Sequence, residues 1–170
     1  MRTKNIIVLP YDNNWVLEFE KIKSELMLVI SDYVIYIEHV GSTSIDGMSA
    51  KPIIDIDVVI PDYKYFEKVV ERLSTIGYEH EGDLGIKDRE VFKYTNKPHL
   101  MQHHLYVCPE NSKELKRHIL FRDYLRKHKE DVIRYSKVKE EAALLYPTDI
   151  DSYIKYKSPC IEEIYIKCGL

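Results

Sequence analysis

Two aspartates, Asp55 and Asp57, lie two residues apart in an otherwise apolar stretch, and their spacing suits them for chemistry. Side chains alternate along a strand, so both carboxylates point to one face while Ile54, Ile56 and Val58 point to the other. Two carboxylates this close repel, and each disfavours ionisation of the other. An exposed acidic edge strand is the alternative, but the apolar neighbours argue against it. The pair therefore predicts a metal site with Mg²⁺ as cofactor, because Mg²⁺ takes few carboxylates together with phosphate oxygens and water.

A Gly41-Ser42 pair precedes the aspartates and follows a predicted strand. Glycine lets the backbone approach a phosphate without a Cβ in the way. The Ser42 hydroxyl and the N–H groups of the following turn, which includes Thr43, are donors for phosphate oxygens. A Gly-Ser pair alone indicates only a turn, but its distance from the aspartates favours phosphate binding. With metal ions on the carboxylates, such a site would activate an attacking hydroxyl and stabilise a leaving pyrophosphate.

Several basic side chains are candidates for binding the phosphates. Lys51 lies near the aspartates in sequence, where it would either neutralise them in a salt bridge or contact a phosphate. Arg122 shares a helix face with Arg126. These arginines would form either a solvated basic face or a clamp for an acidic substrate, since arginine binds such groups bidentately. Lys139 and Lys157 fit the same role.

The elements that must position these residues follow from apolar periodicity and turn residues. Strands are predicted over residues 6–9, 34–40, 52–60, 78–80, 90–94 and 99–107. Helices are predicted from a cap at residue 12 or 13 to residue 29, over 63–76, from 112 onward, over 131–145 and over 149–167. We expect one α+β domain over residues 1–170, with a sheet-containing core at about 1–110 and packed helices at about 111–170.

Composition narrows the partners and the compartment. The net charge of −3 gives no pull towards nucleic acid or membrane. The basic stretch over residues 112–139 would suit nucleic acid, but FRDYLR within it mixes charges of both signs, so nucleic acid is the least favoured partner. Three cysteines without metal-ligand spacing predict a reducing, cytoplasmic setting. The apolar run near the start is too short for a signal peptide or a membrane span.

The strand, the Gly-Ser turn and the aspartate strand together resemble the nucleotidyltransferase superfamily of the polymerase-β type over residues 34–60. Nearly the whole chain is similar to the GrpB-like family of that superfamily. The segments that carry this resemblance are YDNNW (11–15), EHVGSTSIDGMSAKPIIDIDV (38–58), HHLYV (103–107), FRDYLR (121–126), YSKVK (135–139) and YIKYK (153–157). The resemblance implies a nucleotidyltransferase-like small mixed β-sheet with flanking helices and a C-terminal helical segment. It also implies a nucleoside triphosphate as substrate and transfer of a nucleotidyl group to an acceptor that the sequence does not identify.

One departure from the superfamily pattern concerns the third carboxylate, which such enzymes carry on a later strand. The corresponding strand here, 99–107, has no acid and offers His104 and Tyr106 on the expected face. A histidine is able to act as a base near neutral pH. We therefore predict His104 as the catalytic base, with Glu90 as the nearest acidic substitute. The alternative is a catalytically inactive module of this fold that binds a nucleotide or another anionic ligand.

Overall fold

A five-stranded mixed sheet forms the centre of the computed structural model, which describes residues 5–170. The strands are β1 (Tyr36–Val40), β2 (Ile54–Ile60), β3 (Glu79–Gly82), β4 (Glu90–Lys93) and β5 (His103–Pro109). Their order across the sheet is β1-β2-β5-β4-β3. β2 and β5 run parallel, and the other neighbouring pairs run antiparallel. The predicted α+β class with a small mixed sheet is therefore confirmed.

Among residues 5–170, five α-helices accompany the sheet. They are α1 (Asn14–Ile30), α2 (Phe66–Ser74), α3 (Lys113–Lys127), α4 (Lys129–Leu145) and α5 (Ile150–Lys167). The side chains of Ser112 and Asp149 cap α3 and α5 by accepting hydrogen bonds from backbone N–H groups of the first turn. Within residues 5–170, no helix is both long enough and apolar enough to cross a membrane.

Residue alternation along β2 separates the core from the polar face of the sheet. Ile54, Ile56 and Val58 are fully buried in the main core, where they pack with apolar residues of α1 and α2. Asp55 and Asp57 point to the opposite face, as the period of two along a strand requires. The main core thus holds β2 in place and presents both carboxylates on one side.

The last three helices pack around smaller apolar clusters outside the main core. Ile45 and Met48, which follow β1, contact apolar residues of α3, α4 and α5. A further cluster joins Ile6 to Ala142 of α4 and Tyr153 of α5. α4 and α5 therefore stand beside the chain that follows β1, next to the polar face of the sheet.

The predicted strand over residues 6–9 is wrong. Leu9 forms an isolated antiparallel bridge with Ala50, and the Ile6 N–H instead donates to the carbonyl of Pro147 at 2.8 Å. Pro10, which follows directly, has no N–H and cannot extend a ladder. The segment divides its hydrogen bonds between two partners and so forms no regular strand.

Candidate functional site

The turn after β1 packs directly against the first aspartate. Gly41 has φ +73°, and a Cβ on it would lie 2.3 Å from Oδ2 of Asp55. The next residues form a 3₁₀ turn, Ser42–Ser44, in which the Ser44 hydroxyl donates to the carbonyl of Gly41 at 2.5 Å. Glycine is required here both by its positive φ and by the close approach of the carboxylate. The structure therefore places the predicted Gly-Ser turn beside Asp55.

Each aspartate is hydrogen-bonded to a histidine. His104 lies opposite Asp55 in the parallel register of β2 and β5, and its Nδ1 donates to Asp55 Oδ1 at 2.9 Å. Asp57 is 0% exposed and accepts from Nδ1 of His118 at 2.6 Å. Sequence reasoning missed His118, which α3 places above the sheet. His118 lies one helical turn after Glu114, and its Nε2 lies 3.2 Å from Oε1 of Glu114. This acidic neighbour on the same helix face is the sequence signal that could have identified His118.

The pair formed by Asp57 and His118 shows opposing electrostatic effects. Burial raises the pKa of Asp57, although the hydrogen bond from His118 works in the other direction. Burial alone would lower the pKa of His118, but the hydrogen bond to Asp57 and the charges of Asp57 and Glu114 prevail and raise it. The raised pKa of His118 thus reflects its close contact with the buried carboxylate of Asp57.

The two carboxylates fit a Mg²⁺ site that a ligand must complete. No group of three or more His, Cys, Asp or Glu side chains able to hold a metal ion occurs among residues 5–170. Oδ1 of Asp57, however, is buried without a hydrogen-bond partner. Such an atom carries a desolvation penalty that a cation would remove. Asp55 and Asp57 would supply two protein oxygens, and Mg²⁺ commonly takes its other ligands from phosphates and water.

A cavity of about 180 Å³ adjoins Asp55 and His104 and is rich in lysine. Nζ of Lys139 donates to the Ser42 hydroxyl at 2.8 Å and lies 4.5 Å from the centre of the Tyr135 ring. The full lining consists of Ser42, Thr43, Ala50, Lys51, Ile53, Asp55, His104, Lys139, Tyr153 and Lys157. We call this cavity the lysine pocket. It brings together the predicted phosphate-binding residues Ser42, Thr43, Lys51 and Lys139, the predicted metal ligand Asp55, the predicted base His104, and Lys157.

The lysine pocket has an excess of basic side chains, since three lysines and one carboxylate, Asp55, line it. Within residues 5–170, none of Lys51, Lys139 and Lys157 forms an ion pair with a carboxylate. Burial lowers the pKa of Lys51, and it lowers that of Lys157 to about 8, with Lys51 adding to the effect. The pKa of Lys139 lies well below its ordinary value because of burial and then the neighbouring lysine charges. A bound polyanion would supply the missing negative charge.

The predicted phosphate ligand Arg122 lies elsewhere. Its guanidinium is buried between β1 and α3, where it donates to Glu38 at 2.6 Å, to Asp123 at 3.0 Å and to the carbonyl of His39 at 3.1 Å. Two carboxylates already balance its charge, and it does not line the lysine pocket. In the structure, Arg122 ties α3 to β1.

Glu90 is also separated from the cluster. It pairs in register with Val107, whereas the next residue, Val91, pairs with Tyr106 on the face of the aspartates. Glu90 therefore points to the opposite face, where it lies 3.1 Å from Nε2 of His80. His104 is consequently the predicted base that the structure brings to the aspartates.

Comparisons with known proteins agree with this architecture. The profile of the family described as "GrpB protein" matches residues 5–167. The chain is 38% identical over 162 residues to glutamate-rich protein GrpB of Alkalihalophilus pseudofirmus, a match covering 94% of this chain and 93% of that protein. It is 34% identical over 160 residues to UPF0157 protein YqkA of Bacillus subtilis, where 94% of this chain spans 46% of that protein.

Solved structures extend the comparison to the fold. The conserved protein GrpB from Enterococcus faecalis superposes with a TM-score of 0.80 at 30% identity, covering 96% of this chain and all 100% of that chain. A Cid1 poly(U) polymerase bound to MgATP superposes with a TM-score of 0.55 at 12% identity, covering 78% of this chain and 42% of that chain. The second likeness concerns the fold alone, which is that of the nucleotidyltransferases. From its sequence and its fold, the chain belongs to the GrpB protein family.

Proposed function

We propose that this protein is a nucleotidyltransferase that binds a nucleoside triphosphate with Mg²⁺ and transfers the nucleotidyl group to a hydroxyl of a second substrate. The observation that carries the proposal is the lysine pocket. Three lysines, which form no close ion pair within residues 5–170, converge on a cavity that also contains Ser42 and one carboxylate, Asp55. Burying such charges is costly unless an anion joins them. A triphosphate fits because its charge matches several cations at once.

Each part of the nucleotide has residues suited to it. Lys51, Lys139 and Lys157 would hold the terminal phosphates together with Ser42. Asp55 and Asp57 would hold Mg²⁺, which, when bound, supplies charge stabilisation for the phosphoryl oxygens. The polymerase structure compared above contains MgATP in a protein of this fold, which supports a nucleotide as the ligand.

The transfer step requires a proton acceptor beside the α-phosphate. The acceptor oxygen attacks Pα, the O–Pα bond forms, and the bond from Pα to the bridging oxygen breaks. Pyrophosphate leaves with that electron pair, and the lysines hold its charge. His104 would take the hydroxyl proton on Nε2, since its Nδ1 is oriented by Asp55 at 2.9 Å. This is the arrangement in which a carboxylate orients a histidine base.

A second candidate function is a binding module that retains the ligand but lacks the chemistry. Tyr106 stands opposite Asp57 in the register, on the strand where the resemblance to polymerase-β-type enzymes implies a third carboxylate. Burial raises the pKa of Tyr106, so its phenol stays protonated and offers no base. This candidate predicts nucleotide binding without release of pyrophosphate.

Calorimetric titration of ATP, CTP, GTP and UTP, with and without Mg²⁺, tests the proposal. We expect at least one nucleotide to bind more tightly with Mg²⁺, and Asp55→Asn to remove that Mg²⁺ dependence. Lys139→Met should weaken binding about tenfold or more, since a charge-assisted hydrogen bond contributes about 1.5–3 kcal/mol. Lys155→Met, at an exposed lysine of α5, is the control and should bind as the wild type does.

Turnover separates the two candidates. With a bound nucleotide and a mixture of hydroxyl-bearing metabolites, a coupled pyrophosphate assay should give a signal that Asp55→Asn abolishes. Binding without pyrophosphate above background in any mixture would favour the module. A well-folded wild type that binds none of the four nucleotides would contradict both.

A further inference from the structure

A second, larger cavity of about 430 Å³ lies on the same face of the sheet and shares His104 with the lysine pocket. Its floor comes from β4 and β5, where Val91 and Tyr106 pair in register. Leu84 adds apolar surface, and Arg89 adds charge. We call it the Arg89 cavity. Its volume lies in the range typical of small-molecule sites.

The guanidinium of Arg89 is unsatisfied in this cavity. It stacks on the ring of Tyr106, with its central carbon 4.7 Å from the ring centre. Its Nε is buried and has no hydrogen-bond partner. No carboxylate among residues 5–170 pairs with it within 4.0 Å, although Asp57 lies nearby. A guanidinium without a carboxylate partner at the wall of a cavity is suited to pair with an anionic ligand.

The positions of the two cavities match the two sides of an in-line displacement. In phosphoryl transfer, the attacking and leaving oxygens lie on opposite sides of the phosphorus. The lysine pocket lies over β2 and the turn after β1, whereas the Arg89 cavity lies over β3, β4 and β5. His104 stands between them. If the lysine pocket holds the leaving pyrophosphate, the Arg89 cavity is on the attacking side.

We propose that the Arg89 cavity binds the second substrate, and that this acceptor is a small molecule with an apolar or aromatic body, a hydroxyl and an anionic group. This inference rests on the nucleotidyl transfer proposed above and assigns the acceptor's chemical class. Arg89 binds the carboxylate or phosphate of the acceptor, and Tyr106 and Val91 pack against its body. The acceptor hydroxyl becomes the new ester oxygen on Pα, and its proton passes to His104.

Phenyl phosphate, with an anion on an aromatic ring, is a suitable probe, and benzyl alcohol is its neutral counterpart. Titrations use the full chain with saturating tripolyphosphate, so that the lysine pocket is filled. Arg89→Gln should weaken phenyl phosphate binding about tenfold or more and leave benzyl alcohol binding unchanged. In the wild type, phenyl phosphate should shift the ¹⁵N–¹H signal of the Arg89 Nε group.

The matched control is Arg117→Gln. Arg117 also stacks on a tyrosine, with its guanidinium carbon 4.3 Å from the ring centre of Tyr165, but it lies outside both cavities. Its substitution should change phenyl phosphate affinity less than twofold. Equal affinity of wild type and Arg89→Gln for phenyl phosphate would overturn the proposal.

Titration with tripolyphosphate alone, without phenyl phosphate, distinguishes this inference from the proposed function. Unchanged tripolyphosphate affinity in Arg89→Gln, together with weakened affinity in Lys139→Met, supports two separate sites. If Arg89→Gln weakens tripolyphosphate as strongly as phenyl phosphate, Arg89 belongs to the triphosphate site and the acceptor assignment is overturned. If the wild type binds phenyl phosphate through Arg89 but no polyphosphate at all, the nucleotidyl transfer fails and the acceptor role fails with it.

Discussion

Lys157→Met should make the ligand-free protein more stable while weakening its binding of polyphosphate. Lys157 lies on α5 at the lysine pocket, and burial with the nearby charge of Lys51 lowers its pKa to about 8. Methionine keeps most of the side-chain methylene packing and removes the charge. The substitution therefore separates the cost of the buried ammonium from the contribution of its stem.

The magnitude follows from the pKa of Lys157. The fall from 10.5 to about 8 corresponds to about 3.4 kcal/mol at roughly 1.36 kcal/mol per pKa unit. The ammonium also lies 4.9 Å from the centre of the Tyr153 ring, a favourable contact of about 1 kcal/mol that the variant loses. The charge penalty is the larger of the two. We expect the free energy of unfolding at pH 7 to rise by about 2 kcal/mol.

The pH dependence has a defined sign. Because the folded-state pKa is lowered, the unfolded chain binds more protons between pH 8 and 10.5. The destabilisation by the buried Lys157 charge is complete below pH 8 and disappears above pH 10.5. The free energy of unfolding of the wild type therefore rises as the pH rises through this window. The difference between Lys157→Met and wild type should therefore shrink from pH 7 to pH 10.

Urea unfolding at pH 7 and pH 10, with and without tripolyphosphate, measures these effects. Tripolyphosphate should stabilise the wild type more than the variant, because at a fixed ligand concentration the stabilisation increases with the logarithm of the affinity. Lys155→Met on the exposed side of α5 should change stability by less than about 0.5 kcal/mol. A Lys157→Met variant that is less stable than wild type at pH 7, or whose difference is the same at both pH values, would refute the reasoning.

Two further predictions concern the turn and the buried histidines. Gly41→Ala should lower the free energy of unfolding by about 2 kcal/mol more than Gly85→Ala, because both have positive φ but only Gly41 faces a carboxylate at 2.3 Å; equal losses in urea unfolding would contradict this. His39 and His103 have pKa values of about 4 in the fold, so their stabilisation is complete above pH 6.5 and is lost as the pH falls towards 4. The protein should be about 2 kcal/mol less stable at pH 5.5 than at pH 7, even though His118, whose pKa is raised, acts in the opposite direction; a urea midpoint unchanged over that range would exclude it.

Local patterns predicted most of the elements because each element carries its own signals. The apolar alternation of β2 and the helix starts at Ser112 and Asp149 depend on residues a few positions apart, and the structure has them where the sequence indicates. The strand expected over residues 6–9 failed because its partners, Ala50 and Pro147, are distant in sequence. Periodicity describes one segment and carries no information about such partners.

The same limit applies to the candidate site. Asp55, Asp57 and Gly41 were recognisable because strand alternation and a turn place them close together. Tertiary packing determines the remainder: α3 brings His118 to Asp57, and the loop between β3 and β4 brings Arg89 to Tyr106. The basic pattern of α3 likewise suggested Arg122 as a phosphate ligand, but the fold surrounds it with acceptors.

The lysine pocket also has a consequence for the local stability of the molecule. Its walls come from residues 42–55, from His104 of β5 and from residues of α4 and α5 between 139 and 157, so a boundary between the sheet and the last two helices runs through it. The repelling lysines stand on both sides of this boundary and favour its opening. A polyanion bound between them would act as a non-covalent cross-link, and amide hydrogen exchange in α4 and α5 would slow while that of the main core stayed the same. Binding of a polyanion at the site would thus be detected as slower amide hydrogen exchange in the backbone of the last two helices.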